Sequence, residues 1–218
     1  MLKTTGRLAV VLVAIAAGMA ALPTFAFQGI LNGPGAFNIS GTWTVTGVTG
    51  AFAWDVVQDT AGFYTYNYRL VVPDEAAPVN MFILQTSDSV TAADIFGAVA
   101  NPVIGDFAMA DYPNLPRDCH GIAWFDVNGR RTSFSFKSYL APIWGNFYIQ
   151  SVEEEPSTAS NSGFTNPSTD PPDPPSDGSL SYHILTVGPS APIPDASTIL
   201  LACFGALQLL AIRKKVFR

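Results

Sequence analysis

Residues 63–72 read FYTYNYRLVV. In an extended chain successive side chains point to opposite sides, so Tyr64, Tyr66, Tyr68, Leu70 and Val72 share one face and Thr65, Asn67 and Arg69 the other. A period of two held this long predicts a half-buried strand with an aromatic inner face. Outward from it lie further runs of strand length: GTWTVTGV at 41–48, AFAWDVVQ at 51–58, NMFILQT at 80–86, NFYIQSV at 146–152 and LSYHILTVG at 180–188. In GIAWFDVNGRRTSFSFKS, residues 121–138, Asn128-Gly129 is the pair preferred in a two-residue hairpin turn. That hairpin would set Asp126 opposite Arg131 and put Ala123, Phe125 and Phe134 on one face. Only TAADIFG, residues 91–97, predicts a helical turn, capped by Ser89 or Thr91. The pattern predicts an all-β fold, an antiparallel β-sandwich or jelly-roll-like single domain over residues 27–190.

Residues 153–178, EEEPSTASNSGFTNPSTDPPDPPSDG, interrupt the pattern with acids and prolines. Proline cannot donate to a ladder, and the stretch offers little to bury, so a long mobile loop is expected there.

The two ends differ from the body. Lys3 and Arg7 precede an apolar run from Leu8 to Leu22, and Thr24-Phe25-Ala26 offers a cleavage site. Residues 1–26 therefore predict a signal peptide cut after Ala26, an uncleaved anchor being the alternative. Ala196 to Ile212 is 17 residues without a charge, and Arg213, Lys214, Lys215 and Arg218 follow. At ~1.5 Å per residue such a run just crosses a thin hydrocarbon core. The basic tail, a stop-transfer element, places the end inside the cytoplasm and the body outside.

Between Phe27 and Pro194 there are five cations (Arg69, Arg117, Arg130, Arg131, Lys137) and sixteen Asp and Glu, a net charge of −11. That balance excludes a nucleic-acid partner, whose phosphates need cations, and is compatible with loose binding of divalent ions. With Cys203 in the apolar run, Cys119 is the one cysteine of the body, so no disulfide within the body is expected.

Few residues suggest chemistry. Glu153, Glu154 and Glu155 adjoin one another and read as a solvated run. Asp55 and Asp126 cannot be paired across a cleft from the sequence. Cys119 and His120 are neighbours that point opposite ways in a strand, a poor nucleophile–base pair. His183 has no partner histidine at metal spacing, and Asp170, Asp173 and Asp177 lack the glycine turn and closing glutamate of a calcium loop. No cofactor and no enzymatic activity are expected. Trp43, Trp54, Trp124 and Trp144 would stack on sugar rings if exposed, which keeps a secreted carbohydrate-binding module as the alternative function, ahead of a hydrolase.

A plain anchor needs no motif before it, yet Pro194, Asp195, Ala196, Ser197 and Thr198 stand there, within 192–198. The order of motif, short apolar span and basic tail over residues 191–218 resembles the PEP-CTERM sorting signal of Gram-negative bacteria, with Ala196 where the second proline is commonest. A lipid-anchor signal of the GPI type normally ends apolar, unlike this one. The body also resembles the domain common ahead of this signal, in YTYNYRLVV…NMFILQTSDSVTAADIF, GIAWFDVNGRRTSFSFKS and APIWGNFYIQ. The resemblance implies a secreted β-sandwich without established chemistry. It implies processing by signal peptidase and by an exosortase, a membrane transpeptidase that cuts near the motif. The chain would pass through an inner-membrane intermediate to the cell surface or extracellular matrix, where polysaccharide is an expected neighbour.

Overall fold

The computed structural model describes residues 26–33, 35–44, 51–72, 76–165 and 177–189. These residues form an all-β structure in which every strand pairing is antiparallel. In chain order the strands are β1 (Ala26–Asn32), β2 (Phe37–Ser40), β3 (Ala51–Gln58), β4 (Tyr64–Val71), β5 (Val79–Gln85), β6 (Val103–Phe107), β7 (Cys119–Trp124), β8 (Arg131–Ser138), β9 (Pro142–Gly145), β10 (Phe147–Ser151), β11 (Thr158–Asn161) and β12 (Ile184–Val187). One sheet runs β1-β3-β4-β8, a second β2-β11-β10-β5-β7-β6, and β9 and β12 form a ribbon. No helix among the described residues is long and apolar enough to cross a membrane. The leader, the apolar run at 196–212 and the basic tail lie outside them.

The alternation of residues 64–72 is realised as read. Tyr66, Tyr68, Leu70 and Val72 are buried, while Arg69 is exposed. The buried face meets the six-stranded sheet through aromatic rings. Phe52 of β3 stacks on Phe147 of β10 at 4.3 Å, and Phe134 of β8 stacks on Phe82 of β5 at 4.4 Å. Each hydroxyl carried inside finds an acceptor: Tyr66 donates to the Leu140 carbonyl at 2.7 Å and Tyr68 to the Leu185 carbonyl at 3.0 Å. Burial holds both phenols well above their ordinary pKa, so they stay neutral donors.

β5 is apolar on both faces because both are covered. Phe82 and Leu84 enter the core between the sheets, whereas Met81 and Ile83 join a second cluster with Phe107, Leu115, Tyr148 and Phe164. The excursion between β6 and β7 closes over that outer face. Met109 N–H donates to Asp118 at 2.7 Å across its neck, and the Tyr148 hydroxyl donates to the Pro113 carbonyl within it.

Three expectations are corrected. Asn128-Gly129 does not close a hairpin: β7 belongs to the six-stranded sheet and β8 pairs with β4 in the other. Asp126 and Asn128 both take positive φ, 55° and 42°, as the chain crosses between the sheets. Asp126 therefore does not oppose Arg131; Ala123 packs in the outer cluster, Phe134 in the core, and Phe125 is exposed. Both edges of β7 are already paired, with β5 and with β6, so β8 has no edge of it to join. Second, residues 153–178 hold a strand: β11 is buried along its whole length, between β2 and β10. Its side chains are small and mostly polar, and Thr158 and Asn161 are buried with hydrogen-bond partners: the Ser40 and Thr158 hydroxyls lie 2.6 Å apart, and Asn161 accepts the Phe147 N–H at 2.9 Å. Residues 166–176 of that expected loop lie outside the described residues. Third, Gly41–Thr44 form a 3-10 turn instead of a strand. The helical turn at Ala92–Asp94 stands as read, with the Thr91 N–H and hydroxyl both donating to the Asp94 carboxylate at 2.8 and 2.7 Å.

Two variants should separate the core from its polar trim. Tyr66→Asp places a charge where the ring is fully buried and stacked on Phe136, and is expected to cost at least ~3 kcal/mol in denaturant unfolding. Tyr66→Phe loses only a hydrogen bond and should cost about 1 kcal/mol. Deleting residues 157–164 removes β11 and should abolish the cooperative transition.

Candidate functional site

The two sheets differ on their outward faces. That of the six-stranded sheet is covered over its middle by the β6–β7 excursion, as above, leaving a smaller hollow at the β2–β11 edge. That of the four-stranded sheet stands open, and its composition follows from the same period of two that buries the tyrosines. Register brings Gln28, Asp55, Asn67 and Ser135 into one row across the strands, and Ile30, Ala53, Arg69 and Ser133 into the next. Neighbouring strands lie ~4.8 Å apart, so each row is about 14 Å long. Small side chains at Ala53, Ser133 and Ser135 leave a trough of about 650 Å³ between taller neighbours. Within it the Asn67 amide donates to Asp55 at 2.9 Å. A third row adds Lys137 and a fourth Arg131, both exposed.

Among the described residues this face carries Arg69, Arg131 and Lys137 together with the Asp55 carboxylate. Asp177 stands at the β1 edge, where it accepts the Gln28 N–H at 3.0 Å, and Gly178 donates to the Gln28 carbonyl at 2.7 Å. β1 lies flush on β3 because Gly29 has no Cβ; one would overlap the Trp54 ring beneath it.

A second constellation ties β6 and β7 to the loop before Ala92. His120 Nδ1 lies 2.7 Å from the Asp106 carboxylate and Nε2 2.8 Å from the Val90 carbonyl oxygen. Only the doubly protonated ring donates to both. Burial alone would lower the His120 pKa, but the bonds to Asp106 and Val90, with the charges of Asp106 and Asp88, outweigh it and raise the net value. Cys119, the preceding residue, points the other way into the outer cluster, and burial pushes its thiol up to about 12. A thiol so held is no nucleophile near neutral pH.

The other sequence candidates fall into structural places. Trp43, Trp54, Trp124 and Trp144 are all buried, between 1 and 3% exposed, so the expected sugar-stacking role is corrected: none offers a ring face to solvent. Large aromatic faces are worth more inside a sandwich without disulfides. Glu153 is exposed, yet its carboxylate accepts the hydroxyls of Thr42 and Ser157 at 3.1 Å and Ser151 at 3.2 Å, clasping the 3-10 turn to the β10–β11 turn. His183 is buried just before β12. Asp55 stands in the trough, and Asp126 on the crossing to β8. No group of three or more His, Cys, Asp or Glu among the described residues is placed to hold a metal ion. Pro194, Asp195, Ala196, Ser197 and Thr198, Asp170 and Asp173 lie outside the described residues, as do Arg213, Lys214, Lys215 and Arg218; Ala26, the expected cleavage residue, opens β1. Reading the period of two placed Asn67 and Arg69 on an outward face, but Ser133 and Ser135 joined them only once β8 paired with β4.

The His120 clamp predicts a pH dependence. A group whose folded pKa exceeds its unfolded value of about 6.5 contributes fully below that value and less as pH rises through the folded one. The melting temperature should therefore fall as pH rises above about 6.5, in step with loss of the proton that His120 shares with Asp106 and Val90. His120→Gln should flatten the profile, as a melting series over that range would reveal.

No family model, curated protein or solved structure matches the chain.

Proposed function

We propose that this chain is an exported, non-enzymatic protein of the cell surface or extracellular matrix, released from a membrane intermediate by an exosortase-type transpeptidase. The observation that carries the reading is the order of the C-terminal elements: Pro194-Asp195-Ala196-Ser197-Thr198, then 17 uncharged residues, then Arg213, Lys214, Lys215 and Arg218. An apolar run bounded by cations halts translocation with the body outside, and a motif at its outer end is within reach of a membrane-embedded enzyme. The N-terminal leader supplies the export route. A body of facing antiparallel sheets with a net charge of −11 suits an extracellular, disulfide-free module of sandwich or jelly-roll type. The inert Cys119 thiol supports a binding or structural role over catalysis.

Processing has a direct test. Intact mass of the surface form should correspond to a chain that begins at Phe27 and ends within 194–198. A surface form that retains Arg213–Arg218 would leave an anchored protein without sorting. Neutralising the four tail cations should release unprocessed chain into the periplasm, read by fractionation and blotting.

A further inference from the structure

We infer that the outward face of the four-stranded sheet binds an acidic polysaccharide, its uronate carboxylate held by Arg69 and its hydroxyls by the polar row beside it. Three observations converge. The first is charge. Three of the five cations between Phe27 and Pro194 stand on this one face, in a segment where acids outnumber bases sixteen to five. Arg69 and Lys137, one row either side of the Asp55–Asn67 row, place cations on an otherwise acidic body and so favour an anionic ligand there.

The second is chemistry. A sugar ring presents hydroxyls that donate and accept at adjacent positions. Gln28 and Asn67 offer a carbonyl and an amine on one planar group, Asp55 accepts only, and Ser133 and Ser135 do either. The Asp55–Asn67 bond fixes the orientation of both groups before any ligand arrives, which reduces the ordering cost of binding. Arg69 stands one row away on the strand that carries Asn67, and its planar fork matches a carboxylate in two parallel hydrogen bonds.

The third is shape. Ala53, Ser133 and Ser135 are small where Gln28, Ile30 and Arg69 are long, so the trough is open along the rows. Ile30, 52% exposed, gives the apolar C–H face of a ring something to lie against. A trough of this kind admits an oligosaccharide through its middle, as a polymer requires, where an enclosed pocket would take only an end. On the opposite sheet Tyr112, Leu115 and Phe164 cover the middle of the outer face, and the smaller hollow at its β2–β11 edge, about 420 Å³ and lined by Asn38, Ser40, Thr158 and Ser160, carries no charged side chain among the described residues. The site rests on the export reading only in placing the ligand outside the cell.

The full chain, purified in detergent, is titrated with galacturonate and mannuronate oligomers, with a dextran oligomer of equal length, and with polyglutamate. Binding of a uronate oligomer is expected, weakening as salt rises, with dextran and polyglutamate at least tenfold weaker. Arg69→Gln should weaken uronate binding tenfold or more. Ser133→Trp fills the trough without changing charge and should remove binding, while melting temperatures of both outward-facing variants stay near that of the parent. The inference is overturned if neither uronate binds, if dextran or polyglutamate binds as tightly, or if the two variants bind like the parent. None of these results bears on the mass of the surface form, so export and ligand are decided separately.

Discussion

The structure depends on rings that touch across the gap between two sheets. Phe52 against Phe147 and Phe82 against Phe134 join the four-stranded sheet to the six-stranded one. Tyr66 and Tyr68 fill the space beside them and direct their hydroxyls to the carbonyls of Leu140 and Leu185. Among the described residues Cys119 is a buried free thiol, so no covalent staple shares the task. Such a core accounts for the placement of all four tryptophans. A ring buried here contributes both apolar area and stacking geometry, and a ring displayed to solvent contributes neither.

The aromatic core also fixes what faces outward. In a strand the inward face dictates the register, and a slip by one residue would expose every ring at once. Asn67 and Arg69 are held outward by the burial of Tyr66, Tyr68 and Leu70. The same holds for Ser133 and Ser135, which alternate with Phe134 and Phe136. The polar rows are thus positioned by packing on the other side of the sheet, with the Asn67–Asp55 bond added on their own side. This places the candidate site on rigid strands and not on loops.

Sequence reading succeeded where one face decides. β3, β4, β5, β10 and β12 were legible because their inner residues are large and apolar. It failed where the outcome depends on cover from distant parts of the chain. Asn128-Gly129 is a local turn signal, yet both edges of β7 are taken by β5 and β6, from distant parts of the chain, and β8 pairs with β4 instead. β11 has no large side chain except its neighbour Phe164; a buried strand of Thr, Ala, Ser and Asn is stabilised by hydrogen bonds to β2 and β10 that no periodicity reveals. The open trough was half legible. Its β4 residues could be read from alternation, but the β8 residues became its neighbours only through strand order.

Strand order also sets a timetable. β2 pairs with β11, and that register joins Ser40 to Thr158, 118 residues later in the chain. β12, whose Leu185 carbonyl receives the Tyr68 hydroxyl, comes later still. Contacts between such distant positions form late and slowly, because a long loop must close before they return any energy. A chain emerging N-terminus first therefore cannot complete its six-stranded sheet until almost the whole body has appeared.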